Sequence, residues 1–488
     1  MSFANLKKNI VQDLINNKNE SVIYKKYTKE RVVSMLENPQ KYTKELREMS
    51  NFLYIVSSHY RRLVNYYSKL PKFNYSIIPT NLPPSKIKKI EFRDTYNLVC
   101  NECKKYNLKQ ESFKILQSVF RTGVFYGLTY ETEDSFYIRS FNPDYADITA
   151  IEDGVLIPSI DLSYFSGKEE LLPEYGDEIE KAFYEYKGNK KKGTRGNSKK
   201  RWFEPSNGIC IKADENDPFY SVPVFTGLIL GVLDIEDYKL LKKAKSEIDN
   251  YKVLSMKMDT DDDGVPKMDY DLAMKYFNQA CANIPDGIGL ILSPFDIKDF
   301  AFQKSSTADS DAVNEAEEDF WFSAGISPLL FGSSKATSSS SLSLSVKPDE
   351  AISFSIMRQI QRFFNRKLKL MSLPYSFEIN FLEQSIFNEK EVQDTYLKGG
   401  QYGVSGAKLF YANSLGIEPA DVNSMSYLEN DILGVCTKIF NRPFISSNTL
   451  SNGDVGSSGG RPTAEETGET TITESNEQSR ENDVNSNR

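Results

Sequence analysis

The sequence predicts an α+β chain, and three observations predict it. Apolar residues recur every three and four positions through the first quarter. β-branched and aromatic runs broken by Gly, Pro and Asp then fill residues 123 to about 225. From Thr226 the helical spacing returns, with short strand-like pieces set inside it. With 488 residues, 39% of them hydrophobic, the chain can bury a large core and has room for about three structural units.

Thr28 can cap a first short helix that ends near Asn38-Pro39. A longer helix is expected from about Thr43, carrying Leu46, Met49, Leu53, Val56, Tyr60, Leu63 and Tyr67 on one face until Pro71 stops it. Two more helices are expected, Phe92 to Lys105 and Lys109 to Gly123. Gly123–Ile138 and Tyr145–Phe165 read as strands and hairpins. Phe183–Tyr186 and Trp202–Glu204 flank a basic loop in the same β-rich region.

A long helix from Thr226 places Ile235, Tyr238, Leu241, Ala244, Ile248 and Tyr251 on one stripe. Strand pieces follow at Val253–Met258 and Ile288–Leu292, with a helix at about Asp269–Ala282 between them. Another helix starts near Thr307 or Asp309 and ends at Gly325. After a Ser-rich segment, Ser333–Ser345, the next helix starts near Pro348, a favourable first-turn residue, and buries Ile352, Ile356, Ile360, Phe363 and Phe364. Helical sequence fills about Asn388–Asn441. Residues 446–488 are Ser, Thr, Asn, Gly and Glu with few large apolar side chains, so they cannot offset their ordering entropy and read as disordered. They carry eight acids and three bases, most of the chain's formal −8.

Composition narrows function. No apolar stretch reaches the roughly 18 residues of a spanning helix, and the first residues hold no apolar signal-like core, so neither membrane insertion nor secretion is expected. An acidic chain is a poor candidate for a tight, non-specific duplex binder, which does not exclude a protein that DNA must pass without sticking. One histidine, His59, makes a Ser-His-Asp triad depend on that residue alone. Five cysteines give no disulfide framework and suggest a reducing compartment.

Each motif has a plain structural reading beside its functional one. Cys100-Asn101-Glu102-Cys103 lacks the second pair a zinc site needs, so core packing is the better reading. Asp259-Thr260-Asp261-Asp262-Asp263-Gly264 opens like a calcium loop, but its twelfth position is Tyr270 rather than Glu, which leaves a polar turn. Gly399–Lys408 does not match a phosphate loop and reads as helix, turn, helix. Lys187–Arg201 holds eight bases and no acid: a solvated hairpin loop, or a contact for phosphate or an acidic partner. Asp309, Asp311, Glu315, Glu317, Glu318 and Asp319 make a solvated helix face or an acidic wall that repels a polyanion. Arg358, Arg362 and Arg366 form a basic stripe, either solvated or paired with a neighbouring subunit.

The order of these parts resembles the portal (head–tail connector) proteins of tailed bacteriophages. A long helix leads into a small α/β insert. A second helix returns and ends in Ala324-Gly325-Ile326-Ser327-Pro328-Leu329-Leu330-Phe331-Gly332, a Ser-rich loop follows, and then another long helix. Portals typically end this helix in a "G-[IV]-P-x-x-L-x-G"-like segment, from which this chain departs by Ser327 before Pro328. The Tyr-rich stretch Met49–Pro71 and the segment from Gly403-Val404-Ser405 to Ser414-Leu415-Gly416-Ile417-Glu418 are also similar, so the likeness covers about residues 40–435.

The resemblance implies a portal-type subunit: wing 1–225, first stem helix 226–252, clip 253–308, second stem helix 309–324, tunnel-loop region 325–347, long wing helix and return 348–387, crown 388–445, and the acidic tail 446–488. It implies a homo-oligomeric ring, a dodecamer at one capsid vertex of the virion, assembled in the host bacterial cytoplasm. Double-stranded DNA would pass its channel during packaging and ejection, and terminase large subunit, head–tail adaptor, major capsid and scaffolding proteins would be its partners. Lys335, Thr337, Ser338, Ser339, Ser340 and Ser341 would face DNA, Asp309, Asp311, Glu315, Glu317, Glu318 and Asp319 would give an acidic stem, and Asp259, Asp261 and Asp263 would mark the clip turn. In such a ring the charges themselves suggest that Arg358, Arg362 and Arg366 could meet a neighbour's acidic stem helix. No catalytic residue, metal or cofactor is expected, and no membrane. Two competing readings are an intracellular, non-viral scaffold or adaptor, and a metal-dependent nucleic-acid enzyme using Asp259, Asp261, Asp263 and Asp269.

Overall fold

The computed structural model describes residues 27–82, 87–191, 201–217, 220–250, 252–257, 261, 267–283, 288–293, 300–301, 308–326, 330 and 339–434. The chain divides into two compact units, Met1–Val422 and Asn423–Arg488.

The first unit opens with α1 (Lys29–Glu37), capped by Thr28, whose hydroxyl accepts from the Arg31 amide at 3.4 Å. The single helix expected from Thr43 is two helices, α2 (Thr43–Val56) and α3 (Ser58–Lys69). Ser57 breaks them: its backbone is extended (φ −89°, ψ 121°) and its hydroxyl accepts from the Tyr60 amide at 3.3 Å, so a local serine bond displaces helix continuation. The apolar face still serves one core, since Leu46, Met49, Leu53, Tyr60, Leu63 and Tyr67 are all buried.

Strand β1 (Tyr75–Thr80) leads to α4 (Lys89–Lys105) and α5 (Leu108–Thr122). Gly123 then turns the chain at φ +83°. A Cβ there would lie 2.1 Å from the Val222 carbonyl oxygen, so only glycine fits. Strands β2 (Val124–Glu131), β3 (Phe136–Phe141), β4 (Ala146–Glu152) and β5 (Val155–Asp161) follow. The Asp153-Gly154 link between β4 and β5 has positive φ at both residues, which is the geometry a tight hairpin needs.

Phe183–Tyr186 is not part of a hairpin. It lies in α6 (Asp177–Lys191), where Asp177, Glu178 and Glu180 favour the positive end and Ile179 and Phe183 are buried one turn apart. Tertiary packing overrides the β-propensity of that aromatic run. Lys187–Lys191 are therefore helical, and 192–200 lie outside the described residues. With β6 (Trp202–Phe203) and β7 (Gly208–Lys212) the sheet is complete in the order β3-β2-β7-β5-β4, with β6 on β5.

Helix α7 (Ile229–Asn250) runs into a small sheet, β8 (Lys252–Lys257), then α8 (Tyr270–Asn283), β9 (Ile288–Ser293) and β10 (Phe300–Ala301). β8 and β9 are parallel, joined through α8, and β10 pairs antiparallel with β8. Helix α9 (Ala308–Ser323) returns beside α7.

Helix α10 spans Ser339–Leu370. It begins well before Pro348, so the serines Ser339, Ser340 and Ser341 expected in a loop have helical backbone. Pro348 sits inside the helix and offers no N–H to the carbonyl four residues back. Of the residues expected to be buried here, Ile356, Ile360, Phe363 and Phe364 are, while Ile352 is 46% exposed. Strand β11 (Ser376–Phe381) pairs antiparallel with β1, Ile77 opposite Ile379, and so joins chain regions about 300 residues apart into one core. Helices α11 (Glu389–Gln401), α12 (Ala407–Ser414) and α13 (Pro419–Tyr427) follow, the first two across the expected glycine-rich turn. Within the second unit, the described residues end in one wide turn, Leu428–Ile432, and a short tail to Gly434.

Candidate functional site

The helix pair α7/α9 is the element that the order of parts singled out, and its root is built into the core. Ile229, Val232, Leu233 and Ile235 of α7 are buried, as are Val313, Phe320 and Trp321 of α9. At Gly231 a Cβ would approach Phe320 Cδ2 to 3.3 Å, so the small residue lets the helices sit close. His59 of α3 stands against both rings, 6.2 Å from Phe320 and 6.1 Å from Trp321, and its Nε2 lies 3.2 Å from Glu317 Oε1. Lys239 of α7 reaches the same carboxylate oxygen at 3.5 Å. Burial first, and then the Lys239 ammonium, hold the His59 imidazole below its ordinary range, with Glu317 opposing. Lys29 of α1 adds a second tie, bonding Asp234 and Asp237 of α7 at 2.6 Å each.

Further along, the picture changes. On α7, Tyr238 is 45% and Leu241 68% exposed, so among the described side chains of the expected stripe Ile235 alone is buried, while the side chains of Ala244, Ile248 and Tyr251 lie outside the described residues. On α8 the described apolar side chains are mostly open: Ala273 is buried, whereas Leu272 and Tyr276, together with the preceding Met268, are exposed.

The acidic helix separates into two faces. Glu315, Glu318 and Asp319 are exposed, while half-buried Glu317 turns inward to His59 and Lys239. Asp309 and Asp311 have helical backbone, and their side chains lie outside the described residues. Lys335, Thr337 and Ser338 also lie outside them, as do Asp259 and Asp263, while Asp261 is exposed. Among the described residues no group of three or more His, Cys, Asp or Glu side chains could hold a metal ion. No described helix is long and apolar enough to cross a membrane.

The arginine stripe is engaged inside the chain. Arg358 Nε donates to Glu383 at 2.9 Å, Arg362 pairs with Glu215 and donates to the Gly154 carbonyl at 3.1 Å, and Arg366 pairs with Glu152. Each guanidinium already has a carboxylate of its own chain, so the expected pairing with a neighbour's acidic helix is not required to satisfy it. The stripe fastens α10 to the β4–β5 turn and to β11's exit. Arg201 likewise donates to Asp161, 2.8 Å through Nε, and Lys187 bonds Glu169 at 2.6 Å, so the described ends of the basic segment are pinned by carboxylates.

Cys100 and Cys103 lie buried on α4, and burial pushes the Cys100 thiol up to about 11 and raises Cys103 as well, as fits packing rather than reactivity. Sequence reasoning missed the buried and half-buried polar arrangements, among them His59 with Glu317, Asp349 with Tyr66 and Tyr67, and Lys212, whose ammonium donates to the carbonyls of Asp217 and Tyr220. A lone histidine between aromatic faces was a signal for the first. The Tyr66-Tyr67 pair opposite an Asp-Glu pair was a faint one for the second.

No family model matches the chain, and no curated protein matches it. Among solved structures it is similar, at 11% identity, to a chain of the virion of a native gene transfer agent particle, with TM-score 0.41, covering 76% of this chain and 93% of that one. It is similar also to a chain in the neck of the empty particle computed with C6 symmetry (TM-score 0.41, 11% identity, 74% and 90% covered) and in the neck of the native particle computed with C12 symmetry (TM-score 0.38, 11% identity, 79% and 94% covered). At these values the neighbours fix neither fold nor function for this chain.

Proposed function

We propose that this chain is a portal subunit: one copy of a dodecameric ring at a capsid vertex of a phage virion, through which double-stranded DNA is packaged and ejected and on which terminase and the head–tail adaptor dock. The observation that carries the reading is the contrast along α7, α8 and α9. Their root is packed into the core, while Tyr238, Leu241, Leu272 and Tyr276 beyond it remain open in the single chain. Large apolar side chains left open on neighbouring elements of this kind support an interaction site. A ring of identical copies needs two different faces on each subunit, and a helix pair with an apolar side and an acidic side supplies them. Glu315, Glu318 and Asp319 on the exposed side of α9 give a wall that repels phosphate, which suits a channel whose cargo must slide.

Negative-stain electron microscopy of the purified full chain tests this. Class averages should show rings with a central hole of about 20 Å or more, the width of duplex DNA with its groove depth. Particles without a hole, at high concentration and with scaffolding protein present, would favour the adaptor reading instead.

A further inference from the structure

Segment 325–348 leaves the end of α9 and returns through the first turns of α10, and one small polar cluster touches both of its ends. Tyr67 of α3 is 3% exposed, and its Oη donates to Asp349 Oδ1 at 3.0 Å and lies 3.4 Å from the Ala324 carbonyl oxygen. Tyr66 donates to the other carboxylate oxygen at 2.9 Å. Ser353, one turn further along α10, donates to the Tyr67 carbonyl at 3.0 Å. Asp349 is itself 3% exposed. Burial therefore raises its carboxyl, against the two tyrosine bonds that favour the anion. A buried carboxylate held by two hydroxyls is costly to strip of partners, which makes the contact directional rather than merely apolar.

We propose that Tyr67 and Asp349 form a clasp through which α3 fixes the spacing of the two chain strands entering and leaving segment 325–348. The tyrosine ring supplies the rigid arm, packed on Phe120 and Phe225 at 5.3 Å each. Its one hydroxyl proton goes to Asp349 on α10, and the Ala324 carbonyl oxygen just past α9 lies beside it as a longer second acceptor at 3.4 Å. Where the portal reading holds, the clasp ties the channel-facing connection to the wing, and that consequence alone rests on the reading.

Backbone hydrogen exchange on the full chain tests the clasp in three variants: Tyr67→Phe, Asp349→Asn and Tyr60→Phe. Tyr60→Phe is the control, since it removes a buried hydroxyl from the same helix that is 2.7 Å from Ser50 and part of neither strand. The first two variants should each raise exchange by about fivefold or more, the loss of one net hydrogen bond, at the amides of Gly325 and Ile326 and at 349–353. Tyr60→Phe should leave both sets unchanged. A rise on one side only, an equal rise in Tyr60→Phe, or no rise in either clasp variant overturns the proposal. The particle mass measured on the same samples reports on the ring separately, so failure of one reading is not mistaken for failure of the other.

Discussion

The helical core around α2, α3 and α5 and the α7–α8 extension use the same residue types to opposite ends. In the core, Leu63, Tyr60 and Tyr67 are buried to within a few per cent, and Phe120 and Phe225 stack at 6.0 Å behind them. On the extension, Leu241, Leu272 and Tyr276 are open. Apolar spacing is present in both, and sharper in the core helices, so a period identifies a face without saying what covers it. Where the chain itself supplies the cover, the face is core. Where it does not, the proposed reading assigns the cover to a second copy.

The widest contrast comes from truncating one leucine in each region. Leu63→Ala should cost about 2–5 kcal/mol, the range for emptying a close-packed core site. Leu272→Ala should stay within about 0.5 kcal/mol in the monomer. Chemical denaturation at low concentration reads both, and equal costs would break the distinction. Next, Gly123→Ala forces a positive-φ backbone and a clash with the Val222 carbonyl, so about 1–3 kcal/mol should be lost. A thermal melt showing no change would mean that the α5–β2 corner is looser than the contact implies.

A third effect is pH-dependent and belongs to the root of the α7/α9 pair. His59 is depressed in the folded chain, so the unfolded chain binds the proton more readily. The resulting stability is full above the ordinary value of 6.5 and is lost as pH falls through it toward the folded value. Denaturation midpoints between pH 7.5 and 5.5 should fall, and His59→Gln, which keeps an N–H for Glu317, should flatten that fall. An unchanged slope would remove His59 from the account. The smallest effect is expected at the arginine stripe. Arg362→Gln breaks a pair whose side chains are 39% and 40% exposed, worth up to about 1 kcal/mol. Its ring mass should be unaltered, because the pair lies within one chain.

Much of this was legible in the sequence. The α+β order, the strand–helix–strand insert between two long helices and the helical segments after 388 follow from spacing and from Gly and Pro punctuation. Three elements were not legible, each for a physical reason. A serine hydroxyl ended α2 where apolar spacing ran on unbroken through Val56 and Tyr60. Acidic first-turn residues and buried Ile179 and Phe183 made α6 out of an aromatic run that favours strand. Helix α10 continued upstream of Pro348, a residue that also suits a first turn. Site-level contacts were least legible, because Tyr67–Asp349 and Arg362–Glu215 join residues 282 and 147 positions apart. Nothing local encodes such a pairing; the β1–β11 ladder and the packing of α10 create it.

The central claim is that the open face of α7 and α8 is covered by another copy of the chain. Sedimentation of the 488-residue, 55.6 kDa chain beside Leu241→Asp and Leu272→Asp/Tyr276→Asp variants tests it most directly. The account predicts a closed oligomer of about twelve copies for the unmodified chain, and monomers of unchanged circular dichroism for the variants. A monomeric unmodified chain, or variants that assemble as it does, would contradict it.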